Sequence, residues 1–263
     1  MNILDEIVGY KKIEVAQRKA EMPLQLLEQQ RLFLRPALSL KRFILDSSRT
    51  GIIAEFKRQS PSKGVINGTA DVVDVTTAYA NNGASGLSVL TDGPSFGGSA
   101  EDLVQARINE IPILRKEFIV DEYQIFESKA MGADVVLLIA AILTPRQVRE
   151  FTMTAHSLGL EVILEIHDEG EMHHFNDRID IVGVNNRNLK TFEVSLEQSV
   201  HLSRLIPGDK IKISESGIHQ VSDIRYLRQV GYHGFLIGEN FMKSSDPALA
   251  FMKFVSELNE TDV

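Results

Sequence analysis

Two apolar runs in this chain each close on a lysine: Ile52-Ile53-Ala54-Glu55-Phe56-Lys57 and Ile111-Pro112-Ile113-Leu114-Arg115-Lys116. Lysine is seldom buried alone, because taking an ammonium out of water is costly unless an anion meets it. Further short runs end on Glu165, on Asn185 with Arg187 two residues on, and on Ser214-Glu215-Ser216-Gly217. Side chains two apart on a strand share a face, which groups Glu55 with Lys57 and Asn185 with Arg187. Gathered at one mouth, these groups would supply proton donors, proton acceptors and cations for an anionic substrate. A single rim lysine could equally serve an ordinary ion pair. Three carboxylates and three cations converging by accident would be a costly arrangement to fold.

What must position them is visible in a recurring pattern. Helical stretches end at Gly83, Gly132, Gly159 and Gly231, and a β-branched or leucine-rich run follows each within a few residues. Glycine most easily takes the left-handed cap conformation, and the runs are too apolar to be half-exposed, so they read as parallel strands buried on both faces. Thr144-Pro145 offers an N-cap followed by proline at the first helical position, and Asp121-Glu122 puts negative charge at another helix start. Strand ends at Lys57, Thr91, Lys116, Ile139, Glu165, Asn185, Ser214 and Gly238 are spaced by about 20 to 35 residues, the span of one β-loop-α unit. Eight such units predict an α/β fold of the (β/α)₈ TIM-barrel type, with its site at the C-terminal strand ends. The rival doubly wound sheet lacks its GxGxxG turn. Residues 1–50 carry Ile3, Leu4, Ile7 and Val8 at helical spacing. They are expected to form an N-terminal helical extension packed on the barrel, making 1–263 a single domain. The run from Lys11 and Lys12 to Lys19 reads as a wet helix face.

The chain has 263 residues and no cysteine, which excludes disulfides, thiolate metal sites and a cysteine nucleophile. Carboxylates at Asp5 and Glu6 break what would be a signal peptide, and no stretch reaches the roughly 20 apolar residues that span a bilayer. A soluble, cytoplasmic protein is expected. A net charge of -8 argues against nucleic-acid or anionic-membrane partners. An anionic substrate must then be held by a local cluster of cations.

Ser216-Gly217 and Gly238 fall after strands seven and eight, where barrels build phosphate sites from backbone N–H groups. Glu239, next to Gly238, would repel a phosphate, so its side chain is expected to point away and leave only its N–H available. His167, Asp168, Glu169, Glu171, His173 and His174 could be taken for metal ligands. They are expected on an exposed helix with no apolar surroundings and read as a solvated face.

Together these motifs resemble the indole-3-glycerol-phosphate synthase family over nearly the whole chain. The most specific pieces are Glu55-Phe56-Lys57-Arg58-Gln59-Ser60-Pro61-Ser62-Lys63-Gly64, Leu114-Arg115-Lys116-Glu117-Phe118-Ile119, Leu164-Glu165-Ile166-His167, Gly183-Val184-Asn185-Asn186-Arg187-Asn188-Leu189 and Ser214-Glu215-Ser216-Gly217-Ile218. The resemblance implies a decarboxylating, dehydrating ring closure of 1-(2-carboxyphenylamino)-1-deoxyribulose 5-phosphate to indole-3-glycerol phosphate in tryptophan biosynthesis. It implies Lys116 as general acid, Glu165 as general base of the dehydration, Lys57 as anion holder and second donor, and Glu55 as orienter of the lysines. Asn185, Arg187, Glu215, Ser60, Phe96 and Phe118 match substrate-contacting positions, and Ser216, Gly217, Gly238 and Glu239 match the phosphate cradle. Such chemistry needs an acid and a base, and no cofactor or metal is expected. The partner expected is the small anionic substrate, met by a monomer that could associate with other tryptophan-pathway enzymes. The chain departs from the family at Ser95, where an aromatic is usual, at Glu117, where aspartate is, and at Phe56, where a β-branched residue is common. A Schiff-base lysine aldolase on the same barrel would explain a rim lysine and a phosphate site, but gives Glu165 and the second lysine no task. A catalytically silent phosphate-binding barrel would have no reason to carry both lysines and Glu165.

Overall fold

A computed structural model describes residues 3–188 and 191–260. Eight strands run through it: β1 (Ile52–Phe56), β2 (Gly86–Leu90), β3 (Ile113–Lys116), β4 (Val135–Ile139), β5 (Glu161–Ile166), β6 (Ile181–Asn185), β7 (Ile211–Glu215) and β8 (Gly234–Ile237). Each pairs in parallel with the next, and β8 closes on β1 with Leu236 beside Ile53. This is the TIM barrel that the spacing predicts, and every strand ends within one residue of its expected end.

Alternation along the strands builds two apolar layers. Ile53, Leu114, Leu137, Ile163, Ile181, Ile213 and Leu236 pack together inside the barrel. Their neighbours Ile52, Ala54, Phe56, Val136, Val162 and Val182 pack outward against the helices. Leu40 and Ile44, from the helix Leu40–Leu45, join the inner layer at the strands' N-terminal ends. Glycine is required where they dock, since a Cβ on Gly86 would lie 2.7 Å from Leu40 Cδ1 and one on Gly234 would lie 3.2 Å from Ile44 Cδ1.

Carried two or four residues further, the inward series reaches Glu55 on β1 and Lys57 just past its end, Lys116 on β3, Glu165 on β5, Asn185 on β6 and Glu215 on β7. The same period that fills the interior therefore delivers polar groups to the C-terminal mouth. Ser214, out of phase, turns to the outer layer and meets Asn186 and Ser199. Gly83, Gly132, Gly159 and Gly231 all take positive φ, as their cap positions require. Thr144 and Gln147 form a capping box at the helix Pro145–Ser157, and Asp121 accepts from the Tyr123 amide at 2.9 Å.

Helix α1 (Ile3–Glu21) buries Ile7, Lys11 and Val15, one residue per turn. Lys11 corrects the expectation of a wet face. It is fully buried, with Nζ 2.8 Å from Asp92, 3.0 Å from Glu117 and 2.8 Å from Glu14. Lys12 is exposed, and Lys19 pairs with Asp121 at the surface, so the expectation holds for those two. The misreading has a physical cause: of the three carboxylates that make Lys11 burial tolerable, only Glu14 is local, and Asp92 and Glu117 come from loops some eighty and a hundred residues away. Among the described residues no helix is long and apolar enough to cross a membrane.

Candidate active site

The mouth encloses a cavity of about 420 Å³, within the ordinary range for small-molecule sites. Lys116 stands at its floor. Its Nζ donates to Glu165 Oε2 at 2.8 Å and to Glu215 Oε2 at 2.7 Å. Burial disfavours the ammonium, but Glu165, Glu215 and Glu55 outweigh it and hold Lys116 protonated well above the free-lysine range. Lys57 donates to Glu55 Oε1 at 2.6 Å, and Glu55 Oε2 accepts from Ser88 at 3.3 Å. Both ammonium groups thus emerge at one rim, each already engaged by carboxylates.

The three glutamates are not equivalent. Burial would raise the Glu165 pKa, but Lys116 and then His167 outweigh it and hold this carboxyl well below the usual range. Asn185 Nδ2 donates to Glu165 Oε1 at 3.2 Å, fixing its orientation. Glu215 goes the other way: burial, only partly offset by Lys116 and reinforced by Glu165, pushes it up to about 7. Like charges around one ammonium cannot all stay ionised at equal ease. Of this pair Glu215 is the more easily protonated, and its Oε1 is buried without a hydrogen-bond partner among the described residues.

The walls differ in chemistry. Phe96 and Phe118 face each other with ring centroids 5.9 Å apart, an apolar side suited to a flat ring. Ser95 does not join them; its Oγ lies 3.1 Å from Tyr10 Oη on α1, and Tyr10 also donates to Asp92 at 2.8 Å. The Glu117 carboxylate is fully buried, accepting from Thr91 and from the Phe118 amide and paired with Lys11 and Arg115. The opposite wall is polar and built for an anion. Ser216 and Gly217 both take positive φ, 67° and 77°, and turn the backbone back over the mouth beside Gly238. Arg187 and Lys63 lie on the same side. Glu239 does not point away as expected: its carboxylate lies 3.7 Å from Arg187 and 3.8 Å from Lys63. With a glycine before it and two cations opposite, the side chain is drawn across the mouth through long, weak ion pairs. Ser60 also lines the cavity, and its buried Oγ has no partner among the described residues.

Every candidate from the sequence thus reaches this one cavity: Glu55, Lys57, Ser60, Phe96, Lys116, Phe118, Glu165, Asn185, Arg187, Glu215, Ser216, Gly217, Gly238 and Glu239. Sequence reading missed Ile3, Leu4 and Ile7 of α1, which line the cavity too, and Lys63. The helical apolar spacing at the N-terminus was the available signal for the first three, but it does not say which surface they cover. The proposed solvated face after β5 is corrected in part. It is a short 3₁₀ turn (Glu169–His174) in which His174 is buried against the Leu143 carbonyl at 2.8 Å, while His167 faces Glu165 rather than solvent. Among the described residues no group of His, Cys, Asp and Glu is arranged to hold a metal ion.

Comparison with known proteins gives one consistent answer. A family model for indole-3-glycerol phosphate synthase matches residues 4–254. An indole-3-glycerol phosphate synthase from Bacteroides thetaiotaomicron is 45% identical over 258 residues, covering 98% of this chain and 99% of that protein. One from Neisseria meningitidis serogroup B is 45% identical over 254 residues, covering 93% and 96%. Among solved structures, a chain of the tryptophan synthase a2b2 complex of Pyrococcus furiosus aligns with TM-score 0.59 at 15% identity, over 80% of this chain and 98% of that one. Tryptophan synthase subunit alpha from Legionella pneumophila aligns with TM-score 0.60 at 14% identity, over 84% and 97%. At such identities the structural likeness speaks for the fold alone.

Proposed function

Because the chain belongs to the indole-3-glycerol phosphate synthase family, we propose that its mouth performs the ring closure that gives the family its name. The enzyme is a carboxy-lyase of tryptophan biosynthesis. It converts 1-(2-carboxyphenylamino)-1-deoxyribulose 5-phosphate to indole-3-glycerol phosphate, CO₂ and water. The observation that carries the assignment of parts is the Lys116 ammonium, held between Glu165 and Glu215 at the floor of a cavity with one aromatic and one cationic wall.

Lys116 gives its proton to the ketone oxygen as the aromatic carbon attacks. Lys57, steadied by Glu55, holds the substrate carboxylate until CO₂ leaves and acts as a second donor. Glu165, kept ionised and oriented by Asn185, removes the ring proton in the dehydration. Ionisation suits a base, just as a retained ammonium suits an acid. Phe96 and Phe118 flank the anthranilate ring, and Ser60 and Glu215 offer unpaired polar atoms to the substrate's hydroxyls. The phosphate rests on the backbone of Ser216, Gly217, Gly238 and Glu239. It displaces the Glu239 carboxylate from Arg187 and Lys63, a small loss because those pairs are long. The whole chain works as one barrel domain, a monomer in the cytoplasm, free to associate with other enzymes of the pathway.

The test uses the absence of tryptophan from the sequence. Adding the ribulose phosphate substrate to the folded protein is expected to generate indole fluorescence over a nearly dark background. Folded protein that gives no such signal at any substrate concentration rules the reading out.

A further inference from the structure

His167 lies two residues beyond Glu165, so the alternation of the strand sets it on the same side as Glu165, against whose carboxylate its ring packs. Its side chain is 8% exposed. Nε2 lies 3.2 Å from Glu165 Oε1 but makes no aligned hydrogen bond among the described residues. Nδ1 lies 3.4 Å from Glu171 Oε2, and the same oxygen accepts the His167 amide at 2.6 Å. Gln198 Nε2 donates to the His167 carbonyl at 2.7 Å, so the backbone is held on two sides. The charged groups facing the ring are Glu165 from β5 and Glu171 from the turn after it. Gln198, from the helix Glu197–Ser203, meets only the backbone. Lys116 donates to the other oxygen of Glu165, Oε2, while Asn185 donates to the same Oε1 that His167 approaches.

An imidazole between two carboxylates favours its charged form. We propose that His167 is a positioning residue for the reaction, an imidazolium anchored on Glu171 that keeps Glu165 ionised and aimed into the mouth. The inference rests on Glu165 being the base. Its chemical sense lies in the order of events. Lys116 is the other cation on Glu165, and it must lose its charge when it protonates the substrate. Without a second cation, burial would then drive Glu165 toward its neutral form before the dehydration needs it. His167 supplies a positive charge that the reaction does not consume. The ring's own titration agrees: burial disfavours its charge, but Glu165 and Glu171 outweigh it and raise the pKa to about 9.

The experiment compares His167→Gln, Glu171→Gln and wild type by the pH dependence of kcat. His167→Gln is expected to lower kcat about 10- to 100-fold near neutral pH, with KM within about twofold, as for a group that acts through a catalytic base. The acid limb of kcat should move up by about one pH unit, with a smaller shift in the same direction for Glu171→Gln. In a Glu165→Gln background, His167→Gln should change kcat by less than about twofold, because the base it serves is gone. An unmoved acid limb in both variants, or equal losses with and without Glu165, would overturn the proposal. Wild-type protein that makes no indole would instead overturn the functional reading on which it rests.

Discussion

Lys11→Met is the most exacting perturbation of this architecture, since it keeps the volume of the side chain and removes only the charge. In the native protein the ammonium is fully buried and lies within 3.0 Å of Asp92, Glu117 and Glu14. Removing one partner of a buried ion pair costs about 3–5 kcal/mol, because the remaining charge stays desolvated and unpaired. Here some compensation survives: Asp92 still accepts from Tyr10, and Glu117 keeps Thr91 and an Arg115 guanidinium at 3.5 Å. A loss near the lower end, about 3 kcal/mol, is therefore expected. For a domain of this size each kcal/mol is worth about 2–4 °C in Tm, so thermal unfolding should fall by about 6–12 °C. Because Ile3, Leu4 and Ile7 of α1 line the cavity, KM should rise with it, and limited proteolysis should cut within residues 3–21 earlier than in wild type. A Tm within about 2 °C of wild type, with α1 equally resistant to protease, would refute the view that this buried network pins the helix over the mouth.

Lys116→Ala and Glu165→Gln should each lower kcat by about 10²–10⁴-fold while KM changes only a few-fold, as for groups acting in proton transfer; steady-state indole fluorescence measures both, and near-normal turnover in either removes its assigned part. Gly238→Ala would place a Cβ 2.6 Å from Glu55 Oε1 and 2.8 Å from Glu55 Cβ. It should displace Glu55, release Lys57 and cost turnover at least about tenfold, whereas Gly159→Ala, where a Cβ meets nothing within 4 Å, should cost only stability through its positive φ. For pH, His167 titrates at about 9 against an ordinary 6.5. A raised pKa means its stabilisation is complete below 6.5 and is lost as pH climbs through 9, a change of roughly 3 kcal/mol. The difference in unfolding free energy between wild type and His167→Gln should shrink by about that amount across this window, and a difference independent of pH would contradict the charged imidazole.

The barrel was legible because its signals are local and repeated. Cap glycines at four helix ends and apolar runs of even spacing need no knowledge of distant contacts. The mouth was legible for a related reason: a period of two fixes which side of the strand Glu55, Lys57, Lys116, Glu165 and Glu215 occupy once the strands are placed. What sequence could not give were properties set by partners far along the chain. Lys11 looks like any surface lysine of a polar helix until the loops after β2 and β3 bring Asp92 and Glu117 against it. Glu239 was expected to avoid an anion site, but Arg187 and Lys63 draw it across the mouth. The run from His167 to His174 carries ligand-type residues without ligand geometry, and only the backbone path into the 3₁₀ turn separates His167, buried against Glu165, from His173 at the surface.

The helix Leu40–Leu45 that closes the bottom of the barrel also sets an order on how the protein is made. Ile44 packs against Gly234 at the start of β8, and the Phe235 amide bonds to the Gly51 carbonyl. A helix synthesised before β1 therefore finds its full seat only after β8 has been synthesised. Until then Leu40 and Ile44 have no complete surface to cover, and β1 lacks one of its two neighbours. Contacts of such long sequence separation form late and slow a fold's assembly, and exposed apolar groups on an unfinished chain invite association. The nascent protein should thus stay open to chaperones and proteases through most of its translation and close in a single late step, when β8 joins both ends of the sheet.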